Sequence, residues 1–257
     1  RLPQFTLIDG KGGEQIALWK GTPLEESHRH HSHLAAIAPF ATVSPEDPRW
    51  RDIIRRSVDH WIRTGMGFWA GWSMPWASML HNRVGNAEMA VLDIELWSRV
   101  YRNAFNRSFH DPVMDGFAVG LCGDKTVMQM DAYMGVVAAI EELFLFEQNG
   151  VLYPMHGVPA SWRGFTAENF TAPGGFSCAV IQNVVRDRGV EQAVDLGGGP
   201  GLAEDPHELC DHGLARHAVG LDEAQLALGA VADLIHFHVA ALVRHLRRHD
   251  DDAAGLH

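Results

Sequence analysis

The sequence predicts a mainly α-helical protein with a shorter, strand-rich part behind the helices. Four segments repeat apolar residues at the spacing of one helix face, around residues 49–63, 75–84, 87–102 and 132–147. Short connections marked by glycine separate them, which is typical of antiparallel helical hairpins. After Gly150 the apolar residues alternate with polar ones instead, as in strands. We therefore expect packed helices first and a sheet second.

The helix boundaries follow from start and stop signals. Asp47 is a natural N-cap, and Pro48 suits the first helical position because an N–H there would have no partner within the helix. Gly65 provides the stop. Asp131 precedes the apolar stretch "AYMGVV", so its spacing also favours an ordinary N-cap. A carboxylate at a helix start is kept ionised by the helix dipole, which suits a catalytic base or the partner of one.

The composition excludes several function classes. The 257 residues are 46% hydrophobic and 21% charged, as expected of a globular protein without a membrane span. A formal net charge of −11 argues against a nucleic-acid partner, because phosphate binding needs clustered lysine and arginine. The three cysteines have no recognisable spacing. The chain starts at Arg1 within loop-like sequence, so we expect a fragment of a longer protein.

The composition changes after about residue 177. Trp, Tyr and Lys are absent from there on, and Phe237 is the only aromatic residue. Half of the 16 histidines of the chain lie in this part. Two interpretations stay open. The segment is either a genuine helical or disordered extension, or non-native sequence that arose from a frameshift in a GC-rich gene.

Four histidines occupy six consecutive positions, His28, His30, His31 and His33, with Arg29 among them. Zinc sites on helices usually need histidines four residues apart, and this run offers only pairs three apart, so we expect no metal. The imidazoles and the guanidinium form a dense set of hydrogen-bonding groups, which suits a ligand rich in hydroxyls. A structural polar seam explains the same residues, and the run alone does not decide between the two.

Three tryptophans follow within eight residues, Trp69, Trp72 and Trp76. Tryptophans at this spacing are most often part of a core, although the indole N–H needs a partner when it is buried. Beside glycine-rich backbone, an exposed indole is also the usual stacking platform for the C–H face of a sugar. The sequence supports both interpretations equally.

Four sequence blocks, in this order, resemble glycoside hydrolase family 95, the α-L-fucosidase and α-L-galactosidase group. The first is H-R-H-x-S-H-L, and the second is G-W-S-x-x-W followed by an arginine. The third is Q-[IM]-D-[GA]-x-x-G, and the last is P-x-x-W-x-G followed by G-G-F. The resemblance covers residues 14–176 and favours sugar binding over metal binding for the histidine run. The matching residues are His28, Arg29, His30, Ser32, His33, Leu34, Gly71, Trp72, Ser73, Trp76, Arg83, Gln129, Met130, Asp131, Gly135, Pro159, Trp162, Gly164, Gly174, Gly175 and Phe176.

The resemblance implies a partial (α/α)6 toroid, with its active site at one end of the inner helices, and a small β-sandwich-like region after it. Residues 1–150 would form the C-terminal part of the catalytic domain, residues 151–180 would begin the β domain, and residues 181–257 would be the tail. It also implies a carbohydrate substrate and a secreted or periplasmic location. We expect no cofactor, no nucleic-acid partner and no membrane partner.

The resemblance further implies inverting hydrolysis, in which an acid protonates the leaving oxygen while a base activates water across the ring. In the family an Asn activates the water, and the Asp of the Q-x-D block supports that Asn. Carried over, Asp131 is the supporting carboxylate. The substrate-binding residues that the resemblance implies are His28, Arg29, His30, His33, Trp72, Trp76 and Gln129.

The general acid is where the sequence departs from the family. The family's acid is a Glu before a Trp in a Q-L-Q-E-W-like segment, and the aligned residue here is Leu18, which cannot donate a proton. The family's Asn-bearing segment would lie ahead of Arg1. Of Glu14, Glu25 and Glu26, we favour Glu25 as the acid, since it lies beside the histidine run. The rival hypotheses are an inactive carbohydrate-binding relative and a zinc hydrolase built on the histidines.

Overall fold

A short β-hairpin precedes four helices in the computed structural model, and further strands follow the helices. The predicted tail at 181–257 lies outside the described residues, apart from the strand residues 181–182 and 192–197. The described residues all belong to one unit of the chain, Arg1–Gly220. They are 5–103, 105, 107–114, 116–118, 127–162, 165–172, 176–182 and 192–197.

Four α-helices confirm the helical segments that the sequence predicts. Helix α1 spans Pro48–Thr64, α2 spans Ser73–Arg83, α3 spans Ala87–Val100 and α4 spans Met130–Phe144. A 3₁₀ turn, Ser32–Leu34, lies in the histidine run. None of the helices in the described part of the chain has the length and apolar composition that crossing a bilayer requires.

Helix α1 begins and ends where its local signals predict. The Oδ1 atom of Asp47 accepts a hydrogen bond from the N–H of Arg49 at 2.9 Å, and Pro48 is the first helical residue. Gly65 ends the helix with a φ of 78°, a backbone conformation that residues with a Cβ adopt at a cost. The buried face of α1 consists of Ile53, Ile54, Ser57, Val58 and Trp61.

Helix α4 starts before the residue that its spacing indicates. The helix begins at Met130 with Gln129 as its N-cap, so the interpretation of Asp131 as the N-cap is wrong. Asp131 lies in the first turn, where its Oδ1 accepts a hydrogen bond from the N–H of Ala132 at 2.9 Å. The Gln129 side chain makes no capping bond, because it bonds instead to the backbone of Trp72. A contact between distant segments therefore sets this helix start.

Helix α4 also ends earlier than predicted, at Phe144 rather than near residue 147. The next residues form strand β3 (Leu145–Gln148), which pairs with β4 (Val151–Pro154). Between the strands, Asn149 and Gly150 have positive φ values of 54° and 76°, as a two-residue hairpin turn requires. The Asn-Gly turn thus places the last residues of the predicted helix in a strand.

The remaining strands form two antiparallel sheets. Strand β1 (Leu7–Gly10) pairs with β2 (Gly13–Ile16) ahead of the helices. After the helices, three strands pair in the order β5-β6-β7. They are β5 (Phe165–Ala172), β6 (Phe176–Gln182) and β7 (Gln192–Gly197). The predicted order of helices and then strands is confirmed for the described residues after β2.

Helix α2 is the most buried of the four helices. Ten of its 11 residues are buried, all except Trp76, and it packs against both α3 and α4. Where α2 starts, the N–H of Trp72 donates to Gln129 Oε1 at the start of α4 (2.8 Å). Where α2 ends, Asn82 Nδ2 donates to the carbonyl of Glu142 near the end of α4 (2.7 Å). Since the starts and the ends meet, α2 and α4 run in the same direction, and α3 returns between them.

Buried charges hold the last turn of α2. Arg83 Nη2 lies 2.9 Å from Glu142 Oε1, and the Arg83 guanidinium lies 3.7 Å from the centre of the Phe146 ring. Two residues before Arg83, His81 Nδ1 lies 2.7 Å from a carboxylate oxygen of Asp93 on α3. These contacts join the three helices at one end, where little water can reach them.

Candidate functional site

The four clustered histidines divide into two sets by depth. His28 is exposed and His30 is half-buried, whereas His31 and His33 are buried. The chain through this run is irregular until the 3₁₀ turn. His28 and His30 are accessible to solvent, whereas His31 and His33 belong to the core.

His31 lies among tryptophans in the core. Its Nδ1 accepts a hydrogen bond from the indole N–H of Trp61 at 3.0 Å, so its Nε2 carries the proton that it donates to the carbonyl of Ser73 at 3.1 Å. Its ring centre lies 4.8 Å from that of Trp69 and 5.5 Å from that of Trp76. Burial lowers the pKa of His31 to about 3, which keeps the ring neutral. His31 is a structural residue.

His33 is the second buried member of the run. It is 8% exposed, and its Nδ1 makes no hydrogen bond within the described part of the chain. Burial, followed by the nearby His60, lowers the pKa of His33 to about 4. The structure therefore places this predicted substrate-binding residue inside the protein.

The rings of the two outer histidines form a row that ends at Trp72. The ring centres of His28 and His30 are 5.1 Å apart, and the backbone N–H of His30 donates to His28 Nδ1 at 3.0 Å. The His30 ring meets Trp72 edge to face, with 4.5 Å between the ring centres. Partial burial and then the charge of Arg29 lower the pKa of His30, so its neutral form is favoured near pH 7. A neutral imidazole can both donate to and accept from a sugar hydroxyl.

The glycine before Trp72 allows backbones to meet closely. A Cβ on Gly71 would lie 2.2 Å from the carbonyl oxygen of Phe109, so no other residue fits without a backbone shift. The N–H of Gly71 donates to the carbonyl of His110 at 3.0 Å. The Gln129 side chain, 8% exposed, holds the next N–H, that of Trp72. Gln129 therefore fixes Trp72 and does not present its Oε1 to a ligand.

The serine after Trp72 joins the histidine run to α2. Ser73 Oγ donates to the carbonyl of Arg29 at 2.7 Å and accepts from the N–H of Ala70 at 3.0 Å. Through these two bonds and the His31 contact, the H-R-H segment is attached to the first turn of α2. The first three sequence blocks thus meet where α2 and α4 begin.

A cavity of about 500 Å³ opens at this place. Asp131, which is exposed, lies on it together with Trp72 and Trp76, whose ring centres are 5.6 Å apart. Helix packing here is close, since a Cβ on Gly135 would lie 3.1 Å from Pro75 Cγ. The lining residues are Ser32, Ala35, Pro39, Phe40, Trp72, Pro75, Trp76, Met79, Asp131 and Gly135.

Only some of the predicted site residues lie at the cavity. Trp72, Trp76 and Asp131 share the cavity, and His30 contacts it through Trp72. Glu25 is exposed and does not line the cavity. The three predicted tryptophans divide as well, because Trp69 is buried at 4% exposure. Sequence reasoning missed Phe40 and Pro39, for which no motif or periodicity gave a signal.

Within the described residues, no group of three or more His, Cys, Asp and Glu side chains could hold a metal ion. The buried Nδ1 and Nε2 atoms of His31 are both used by protein partners. The cavity offers indole faces and one carboxylate, and the imidazole of His30 packs against the indole of Trp72.

Indole faces thus lie beside a carboxylate at the shared end of two helices that run in the same direction. Comparison with protein families gives the particular group. The family model described as glycosyl hydrolase family 95 catalytic domain matches residues 14–144, just over half of the chain. The chain therefore belongs to glycoside hydrolase family 95, as the sequence blocks indicated. A search of curated proteins found no match.

Proposed function

We propose that this chain contributes the sugar-binding end of an inverting glycoside hydrolase that acts on α-L-fucosides or α-L-galactosides. One observation carries the proposal. Trp72, Trp76 and Asp131, from two separate family blocks, line one cavity, and His30 of a third block packs against Trp72. Membership of a glycoside hydrolase family supplies the substrate class, a carbohydrate.

The proposed sugar contacts follow from the chemistry of the walls. The two indoles offer flat apolar faces for the C–H face of a pyranose ring, and a deoxysugar with a methyl group adds to the apolar contact. His28 and His30 provide hydrogen-bonding groups for hydroxyls on the adjacent side, with Arg29 next to them. Gln129 supports this arrangement through its bond to the Trp72 backbone.

Asp131 is the proposed supporting carboxylate. It lies in the first turn of α4, and its side chain is exposed on the cavity. In the inverting mechanism a water attacks across the ring from the acid. Asp131 would hold the Asn that the family uses to activate that water.

The proposed scaffold is a partial (α/α)6 toroid, of which residues 1–150 form the C-terminal part. Helices α2 and α4 run in the same direction and pack together, as neighbouring inner helices of such a ring do, and α3 connects them. Residues 151–180 would begin the β domain, and residues 181–257 would be the tail. The boundary of the tail can be tested by thermal unfolding of a chain truncated after residue 182. The described helices should unfold at the same temperature without the tail.

Glu25 is the proposed acid. It is exposed, lies three residues before His28, and makes no hydrogen bond or ion pair within the described part of the chain. General-acid help is worth about two to four powers of ten in rate. In the chain joined to the family's Asn-bearing segment, Glu25→Gln should lose that factor on unactivated glycosides and keep turnover of glycosyl fluorides, which need little protonation. Glu26→Gln is the matched control, and equal losses in both variants, or none in either, would remove Glu25 from the mechanism.

A second candidate function is carbohydrate binding without hydrolysis. The observation that favours it is Leu18, which occupies the position of the family's acid and is half-buried, with its N–H bonded to the carbonyl of Thr22 at 2.9 Å. A leucine held in this turn supplies no proton. If Glu25 does not reach the sugar, the tryptophan-walled cavity would still bind a carbohydrate.

Two measurements test the proposal and separate the candidates. NMR titration of the chain with L-fucose, L-galactose and D-glucose should show binding of the first two, lost in Trp72→Ala and kept in Trp19→Ala, whose indole is 61% exposed away from the cavity. In the chain joined to the family's Asn-bearing segment, hydrolysis of an aryl α-L-fucoside that Asp131→Asn abolishes supports the hydrolase. Binding without hydrolysis in that joined protein supports the carbohydrate-binding protein, and no binding of any sugar contradicts both.

A further inference from the structure

Phe40 is an exposed aromatic residue on the wall of the cavity that holds Asp131. Its side chain is 71% exposed, although burial of a phenylalanine ring is strongly favourable. Pro39, next to it, also lines the cavity and is exposed. A single exposed aromatic side chain on a flexible loop needs no special explanation. Whether Phe40 has a function therefore depends on whether the backbone around it is fixed.

The backbone around Phe40 is held at several points. Phe40 donates its N–H to the carbonyl of Ala35 at 3.0 Å, and the carbonyl of Ala38 accepts from the Trp76 indole N–H at 2.6 Å. Ala41 follows with a φ of 49°, a left-handed conformation that a residue with a Cβ adopts only when its surroundings require it. The loop therefore has one defined shape, and that shape points Phe40 outward.

The opposite side of the loop is fixed to the strand that follows α4. Gln148 Nε2 donates to the carbonyl of Val43 at 2.9 Å and to that of Ala41 at 3.4 Å, and Gln148 itself is buried. Thr42 adds a bond from its N–H to the carbonyl of Ala36 at 2.8 Å. An aromatic ring that a rigid backbone keeps in water beside a cavity is pre-organised to contact a ligand, since little entropy is lost on binding.

Helix α2 contacts both the loop of Phe40 and the helix that carries Asp131. Trp76 of α2 bonds to the loop of Phe40, while Pro75 of α2 meets Gly135 on the helix that carries Asp131. The cavity wall thus includes the carboxylate of α4, the tryptophans at α2 and the phenylalanine of the loop. A ligand that contacts both the carboxylate and the phenylalanine can extend beyond the unit that Asp131 addresses.

We propose that Phe40 is a specificity-determining residue, the stacking platform for the second sugar unit, which leaves when the glycosidic bond breaks. The inference rests on the proposed function, because it assumes that the unit beside Asp131 is the sugar whose bond is cleaved. It adds a preference for a glycoside whose leaving group is itself a sugar with a flat C–H face. A small or charged leaving group would gain nothing from this ring.

The test compares two ligands by NMR titration, methyl α-L-fucoside and a disaccharide of L-fucose α-linked to D-galactose. The unaltered chain should bind the disaccharide more tightly. Phe40→Ala should weaken disaccharide binding about tenfold, the upper range for one aromatic stacking contact, and leave the methyl glycoside unchanged. Phe40→Trp should restore the preference. Phe68→Ala is the matched control, because Phe68 is an exposed phenylalanine that does not line the cavity.

The outcomes separate the platform from the proposed function. If the unaltered chain binds both ligands and Phe40→Ala binds each of them as tightly as the unaltered chain does, the platform is overturned and the proposed function stands. If Phe40→Ala weakens both ligands to the same extent, Phe40 does not select the second unit and the inference fails. If the unaltered chain binds neither ligand, the proposed function fails and the platform with it. Thermal unfolding of each variant checks that the 71% exposed side chain carries no fold stability.

Discussion

The two ends of α2 use the same residue types for opposite purposes. At its start, Asp131 is exposed on a cavity with half-buried tryptophans, and the polar groups nearby fix backbone positions. At its end, the carboxylate of Glu142 is paired with the buried Arg83 under an aromatic ring. The start of α2 is thus an open end, where a carboxylate and two tryptophans are accessible to solvent. The end of α2 is a closed end, where Arg83 and its charge partner are packed under an aromatic ring. Burial, not residue type, separates the candidate site from the scaffold.

The strongest test of this comparison removes a charge from the closed end. Arg83→Met should lower the free energy of unfolding by about 3–5 kcal/mol, because it leaves the half-buried carboxylate of Glu142 without its buried partner. Urea denaturation measures the change. Asp131→Asn at the open end should leave the midpoint unchanged, since that side chain is exposed.

A double variant shows whether the loss comes from the unpaired charge. Arg83→Met combined with Glu142→Leu should recover most of the stability, because no charge then remains buried. If Arg83→Met alone has no effect, the closed end does not depend on this pair and the comparison breaks.

The second prediction concerns pH and the buried histidines near the open end. The pKa values of His31 and His33 are lowered to about 3 and about 4, against about 6.5 in an unfolded chain. Between these values the unfolded chain binds protons that the folded chain excludes, so stability is complete above pH 6.5 and falls as the pH drops. The two residues together account for roughly 3 kcal/mol between pH 6.5 and pH 5.

The slope of stability against pH in variants assigns that loss. Together the two buried histidines contribute part of the slope of unfolding free energy against pH between pH 6.5 and pH 5. His33→Asn should remove about half of that part. His28→Asn is the control, because His28 is exposed. Equal slopes of unfolding free energy against pH in the unaltered chain, His33→Asn and His28→Asn would show that the buried His33 does not control acid stability.

Local signals predicted the elements whose boundaries are set locally. The start and end of α1 agree with the sequence because Asp47, Pro48 and Gly65 act within one turn of the helix. The end of α4 was missed although its signal was present, since the Asn149–Gly150 turn competes with the helical period and prevails. The start of α4 carried no local signal, because Gln129 bonds to a residue 57 positions away.

The candidate site was predicted in part for the same reason. Residue types and order identified the family and named Trp72 and Asp131, which line the cavity. Depth along the histidine run was not predictable, because His31 is buried through contacts with Trp61 and Ser73 that no spacing encodes. Phe40 gave no signal either, since its exposure follows from bonds made by its neighbours.

The smallest expected effect sharpens the role of Gln129. Gln129→Leu removes the acceptor for the Trp72 N–H in a buried place, which should lower the free energy of unfolding by about 1–2 kcal/mol and weaken sugar binding. Gln129→Glu keeps the acceptor and should keep the binding. If Gln129→Leu loses all binding at unchanged stability, the residue contacts the sugar directly and its role as a support for Trp72 is wrong.

The claim that the open end of α2 binds a sugar can be tested on the tryptophans themselves. In a ¹H–¹⁵N spectrum the eight indole N–H groups of the chain give separate signals, which Trp→Phe variants assign. Titration with L-fucose should move the signals of Trp72 and Trp76 and leave those of the buried Trp61 and Trp97 in place. A titration that moves only the exposed Trp19, or no indole signal at all, would contradict the account.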